Sequence, residues 1–265
     1  MGLFDRIYVF LAIRGFKMWA SYRTQVALTA VNWVLPVFIY FFIGLTLGRG
    51  SLEAVSNYTV FMVVGTAFQG YFSASVVTLA GRIRNEELIG TLEYLMASPV
   101  GPTALMLYNT IWGLAINSIS AASVLLIGLG LGVKYAVDVL STSALLALYL
   151  LSIVGLNLIA GAVVLVVKQG NPVALFTSVA SNLLGGVVFP VSVLPQWLKY
   201  VSYGLSLTWA LDGLRASMLE GAGLAAVWPY LWRLAATSAA YMALGVLLTQ
   251  YAFEKILREG SVHMY

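Results

Sequence analysis

The chain has 265 residues, 61% of them hydrophobic and 9% charged, with a net charge of +4 and a mean hydropathy of +0.92. Soluble domains carry about 25% charged and about 45–50% apolar residues, so the composition excludes a water-soluble globular protein and requires an integral membrane protein. There is no cysteine and one histidine, His263, so disulfides and thiolate metal sites are excluded and histidine-based catalysis has almost nothing to work with.

In residues 1–24, Asp5 and Arg6 precede the apolar run Ile7–Ile13, which Arg14 and Lys17 interrupt. The run is too short to span, and no small-residue cleavage site follows it. Phe4, Ile7, Leu11 and Met18 share a helical face that Arg14 breaks into, which predicts an amphipathic helix lying along the cytoplasmic surface, its bases near anionic headgroups; the alternative is an ordinary basic N-terminal anchor.

Six apolar runs follow, at roughly 25–47, 58–80, 104–131, 142–167, 173–190 and 230–252. Each is near the roughly 20 residues a bilayer requires. Gly, Ala and Ser recur in them, as close helix packing in lipid demands. Pro36 is expected to kink the first.

Between the second and third runs lies Arg82–Pro99, the longest charged helix-compatible segment between two long apolar runs. At 3.6 residues per turn, Arg82, Glu86, Gly90 and Glu93 fall on one face and Leu88, Leu92 and Leu95 on the other. Arg82 and Glu86 can pair at i,i+4, worth about 0.2–0.5 kcal/mol, and Ser98–Pro99 ends the helix. Two readings stand: an interfacial helix that joins two spans, or a docking surface for a soluble partner.

Lys168–Pro172 reads as a tight inner turn. After Phe189–Pro190 the pattern breaks for about forty residues. Pro195 can open a short helix holding Trp197, Leu198, Tyr200 and Val201. Ser206 or Thr208 can cap a second, with Trp209, Leu214 and Met218 apolar, Asp212 and Arg215 at i,i+3, and Gly221 and Gly223 closing it. Both are too short to span and rich in Trp and Tyr, which predicts re-entrant or interfacial helices on the outer side. The alternative is a loop packed over the bundle. The last run ends in a charged tail from Glu254, with Glu254–Arg258 and Lys255–Glu259 at i,i+4, expected to extend the final helix.

Basic residues set the expected topology. With the N-terminus inside, Arg6, Arg14, Lys17, Arg23, Arg82, Arg84, Lys168, Lys255 and Arg258 are cytoplasmic, against Arg49, Lys134, Lys199, Arg215 and Arg233 outside. The bias favours both termini inside. No G-x-x-x-x-G-K-[ST] pattern occurs, so an ATP-driven process would need an ATPase on another polypeptide. The runs are nearly free of ionisable groups, Arg233 being the doubtful case. That weighs against a proton-coupled carrier and against an embedded acid–base enzyme. The neutral polar residues Asn32, Gln69, Asn109, Asn117, Asn157, Ser181 and Asn182 read as helix–helix hydrogen bonds rather than substrate contacts, the alternative role for such groups in a span.

Glu86–Val100, E-E-L-I-G-T-L-E-Y-L-M-A-S-P-V, resembles the cytoplasmic signature of the ABC-2-type transporter permeases, and Phe189–Arg215 (F-P, L-P-x-W-L, then L-T-x-A-L-x-G-L-R) is similar to a second signature of that family. The resemblance implies an all-α integral membrane fold. It comprises an interfacial helix (1–24), a six-span transmembrane domain (25–253) and a cytoplasmic tail (254–265). Within the domain lie a coupling helix (81–99) and an outer re-entrant helical hairpin (190–223). It implies a membrane subunit of an ABC exporter in the cell membrane, working as a homodimer on an amphiphilic drug, lipid or lipid-linked cargo. Two copies of a separate ATPase would carry ATP and Mg, with no cofactor in this chain. Arg82, Arg84, Glu86, Glu87, Gly90, Thr91 and Glu93 would dock the ATPase. Phe189, Pro190, Pro195, Trp197, Trp209, Asp212 and Arg215 would form the outer gate. The alternatives are a polysaccharide-exporting permease and an ATP-independent secondary carrier, the latter expected to show inverted repeats; none is evident.

Overall fold

The computed structural model describes residues 18–47, 58–72, 76, 81, 102–167 and 170–259. Among these residues every regular element is helical. The one-turn α1 (Met18–Ser21) leads into α2 (Arg23–Leu47), which runs on through Pro36. Residues 58–72 form α3. Next come α4 (Pro102–Gly130), α5 (Val139–Val167) and α6 (Gly170–Leu184). A 3-10 turn at Val191–Val193 precedes α7 (Gln196–Tyr203), α8 (Ser206–Leu219) and α9 (Leu224–Glu259).

Among the described residues, four segments are long and apolar enough to cross a membrane: Val26–Thr46, Thr110–Gly130, Val139–Val167 and Leu224–Lys255. At 1.5 Å per residue the 29-residue α5 reaches about 43 Å, more than the roughly 30 Å hydrocarbon core. The 15-residue α6 reaches only about 22 Å. The apolar run expected to continue to residue 190 is cut short because Gly186 takes a left-handed φ of 72°, and residues 185–189 leave the helix as bends. In the other direction, α9 begins at Leu224 rather than near 230. Pro229 marks a boundary in sequence, yet the helix passes through it, started by Ala226 and Val227 N–H groups donating to Gly223 O. The C-terminal end runs helical to Glu259.

In lipid, burying apolar surface between helices gains little, so close packing and interhelical hydrogen bonds hold the bundle. The central element is α5, with α9 along most of its length, α8 against both, and α4 on another side. Glycines make the closest seam: a Cβ on Gly155 would stand 2.6 Å from the Met242 backbone N, and one on Gly245 2.7 Å from Gly155 O. Leu145, Tyr149 and Ile153 of α5, Leu207, Leu211 and Leu214 of α8 and Leu234 of α9 are fully buried. Leu28, Leu35, Phe38 and Phe42 of α2 stand exposed, as residues facing acyl chains do.

The neutral polar residues divide. Gln69 Nε2 donates to Asn182 Oδ1 at 2.8 Å, joining α3 to α6, and Asn157 Nδ2 donates to Thr110 Oγ1 at 3.4 Å, joining α5 to α4. Asn117 instead donates to Gly113 O on its own helix. Among the described residues, hydroxyls also bond across helices: Tyr149 to Phe68 O, Ser152 to Ser206 Oγ, Ser238 to Leu148 O.

The N-terminus of α5 is capped by Asp138, whose Oδ1 accepts from the Ser141 N–H at 2.7 Å. The nearby Ser141 hydroxyl and this bond hold the Asp138 carboxyl below its ordinary value. A depressed carboxylate stabilises the fold above its unfolded pKa, near 3.9, and that stability is lost as pH falls through the folded value. Asp138→Ala should therefore lower the melting temperature by a few degrees at neutral pH. In thermal melts across pH, the difference between the two proteins should hold above about pH 4 and shrink as pH falls below it.

Candidate functional site

The region from Gly185 to Leu219 is where the backbone departs from simple spans. Pro190 and Pro195, both in extended conformation, hold the chain open on either side of the 3-10 turn, and Pro195 is the N-cap of α7. On α7, Trp197, Tyr200 and Val201 are exposed while Ser202 is buried, giving an apolar aromatic outer face. Trp197 is 68% exposed, and Phe189 is half-buried.

The joint between α7 and α8 is fastened by side chains. Neither Ser206 nor Thr208 caps α8: its N-cap is Leu205, without a side-chain bond. Thr208 reaches back to donate to Ser202 O at 2.8 Å, and the Ser206 hydroxyl takes the bond from Ser152. Trp209 stacks on Tyr203 with centroids 5.1 Å apart and donates its indole N–H to Tyr203 O at 2.8 Å. Tyr241 of α9 closes the joint by donating to Gly204 O at 2.8 Å.

The two short helices differ in their surroundings: α7 presents an exposed face, whereas α8 is enclosed. Ser206, Leu207, Thr208, Ala210, Leu211, Gly213, Leu214, Arg215, Ser217 and Met218 are all buried. The reason is legible in Gly213, where a Cβ would meet Leu145 Cδ2 at 2.7 Å: its absence lets α8 sink onto α5.

Burial of α8 carries Arg215 inside. Counted in sequence as an outer-loop base, it is 8% exposed. Its Nη2 donates to Gly186 O at 2.9 Å and Phe61 O at 3.2 Å and lies 3.5 Å from Val187 O, while the guanidinium carbon sits 3.5 Å over the Phe61 ring. Gly65 makes the space: a Cβ there would meet Val187 O at 2.7 Å and Arg215 Nη2 at 2.9 Å. Irregular backbone within a membrane bundle must find donors, since lipid supplies none. Arg215 supplies them to the bend that ends α6, and its positive charge suits the carbonyl end of that helix.

Asp212 is a looser partner. Its Oδ1 is 3.9 Å from Arg215 Nη1, and its side chain is 41% exposed against 10% for Arg215. Nε and Nη1 of Arg215 are buried without a hydrogen bond.

Of the residues expected to form an outer gate, Asp212 and Arg215 lie together, Trp209 packs instead on Tyr203, which was not among them, and Trp197 is exposed. Phe61, Gly65 and Gly186 were absent from the sequence reading. Gly185–Gly186 just before Phe189–Pro190 is a signal that could have found the bend; Phe61 offered none. Arg82, Arg84, Glu86, Glu87, Gly90, Thr91 and Glu93 lie outside the described residues, as do most of the N-terminal helix and Lys168. Among the described residues, no group of three or more His, Asp or Glu could hold a metal ion.

A family model for the ABC-2 type transporter matches residues 8–219. The chain belongs to the ABC-2 type transporter family. The match takes in both the charged segment after α3 and the hairpin through the last residue of α8. A search of curated proteins found no match. With its apolar helices, this ABC-2 chain is a multi-pass membrane protein of transporter permease type.

Proposed function

We propose that the chain is the membrane subunit of an ATP-driven exporter in the cell membrane, with both termini cytoplasmic and six spans per subunit. Two copies form the pathway at their interface, and two copies of a separate ATPase, carrying ATP and Mg, dock chiefly on Arg82–Pro99. Closure of the ATPase pair moves these segments as levers, and the two permease halves rotate to open the path outward. Glu86, Gly90, Thr91 and Glu93 form the centre of the contact, with Arg82, Arg84 and Glu87 beside it. The observation that carries this reading is the family match across residues 8–219, which includes that segment.

Three of the four candidate spans support it by their chemistry. From Val26 to Thr46, Thr110 to Gly130 and Val139 to Val167 there is no ionisable Asp, Glu, Lys, Arg or His. A proton-coupled carrier requires such relays. A path lined by small, neutral and aromatic groups suits an amphiphilic drug or lipid-linked cargo better than an ion. A polysaccharide cargo is the second reading within the same family.

The test is affinity purification of the tagged chain in mild detergent with mass spectrometry of what accompanies it. The expected result is a soluble protein with a P-loop, lost when Gly90–Glu93 is scrambled. Glu93→Ala is expected to reduce ATP-driven transport with the fold intact. A folded chain that comes down alone, unaffected by scrambling, would make a secondary carrier the leading reading.

A further inference from the structure

Arg233 is the second cation at the hairpin end, and its surroundings differ from those of Arg215. Its guanidinium carbon lies 4.7 Å from the Trp209 ring centroid on α8 and 5.2 Å from that of Trp232 on α9. Of the five N–H donors an arginine carries, the hydrogen bond formed is from Nη1 to Pro229 O at 3.2 Å. Among the described residues it has no carboxylate partner; the ion pair at this end is Arg215 with Asp212. Trp232 is 51% and Trp228 64% exposed, so the cluster opens to whatever surrounds the bundle.

Helix length places the cluster. Glu254 opens the charged end of α9. A hydrocarbon core of about 30 Å accepts roughly 20 helical residues, and counting back that far from Glu254 reaches Arg233 and Leu234. Trp228, Pro229 and Trp232 then fall in the headgroup layer, where indoles are favoured. A planar cation held by two indole faces leaves its N–H edge open at the depth of lipid phosphates, and guanidinium matches phosphate oxygens with paired hydrogen bonds.

We propose that Arg233, clamped between Trp209 and Trp232, binds the phosphate of a phospholipid of the surrounding bilayer. The lipid bridges α8 to the start of α9 from outside. Trp228 and Trp232 are exposed while the neighbouring Leu231 and Leu234 of α9 are buried in the core, so the ligand is a bilayer lipid at the outside of the bundle rather than cargo in a central path. The proposal needs only that the chain spans a membrane and is independent of the exporter reading.

The test is native mass spectrometry of delipidated chain titrated with phosphatidylglycerol, or with diacylglycerol of the same acyl chains as the phosphate-free control. The wild type should retain one phosphatidylglycerol more tightly than any diacylglycerol, and a large excess of inorganic phosphate should not displace it. Arg233→Gln should weaken phosphatidylglycerol about tenfold, the loss of one charge-assisted contact, with diacylglycerol unchanged. Trp209→Leu should weaken it less. Equal binding of the two lipids, or no effect of Arg233→Gln, would overturn the proposal, and displacement by inorganic phosphate would overturn the lipid assignment. Should Arg233→Gln not fold, Arg233→Lys decides: weaker phosphatidylglycerol binding supports the planar clamp, and wild-type affinity overturns it.

Discussion

Replacing Arg215 by methionine should destabilise the chain by about 2–3 kcal/mol and abolish transport, although the new side chain is apolar and of similar length. Removing the guanidinium leaves Gly186 O without its donor at 2.9 Å, and a buried acceptor stranded in this way costs about 1–3 kcal/mol. The packing of the guanidinium on Phe61 is lost as well. Against these losses stands a gain, since Nε and Nη1 no longer sit buried and unmatched. The losses prevail because Gly186 O and Val187 O belong to the irregular bend that ends α6, where lipid supplies no donor in place of the guanidinium.

Asp212→Asn supplies the comparison. The pair is long, at 3.9 Å, and the acid is substantially exposed, so the change should cost no more than about 1 kcal/mol. Thermal unfolding of both variants in nanodiscs measures the difference. Equal destabilisation would mean that the ion pair, not the carbonyl contacts, holds this end together. Arg215→Lys should fall between, because an ammonium keeps the charge but lacks the planar face that lies on Phe61.

Gly155→Leu should prevent α5 and α9 from meeting at all. A Cβ at Gly155 would lie 2.6 Å from both the Met242 N and the Tyr241 C, and both are backbone atoms that no rotamer change can move. Even Gly155→Ala should cost about 1–3 kcal/mol, the range for overpacking a tight interior. The leucine variant should give no monodisperse protein on size-exclusion chromatography. Gly130→Ala is the control: nothing lies within 4 Å of its Cβ position, so its melting temperature should match the wild type. A folded, wild-type-like Gly155→Leu would show that this seam is not what holds the bundle.

The membrane class, the helical state of α2, α4 and α5, and the irregular stretch around Phe189–Pro190 all follow from local features: apolar runs of spanning length, bounded by charge, Gly and Pro. Such features act within a few residues of where they are written. The shortening of α6 was written locally too, in Gly185–Gly186, but an apolar run continuing to Phe189 masked it. The last helix starts earlier than its apolar run, at Leu224, because Gly223 O accepts from the Ala226 and Val227 N–H groups and the helix continues through Pro229.

The role of Arg215 belongs to the other kind of information. In sequence it is one more base in an aromatic loop, and its spacing from Asp212 indicates a surface pair. What buries it is the absence of a side chain at Gly213 and at Gly65, and its acceptors are 29 and 154 residues away. Composition and periodicity thus determined that this chain lives in a membrane as helices. Only the tertiary structure decided which cation enters the bundle and which stays at its edge, because that choice depends on whether distant backbone carbonyls lack a donor.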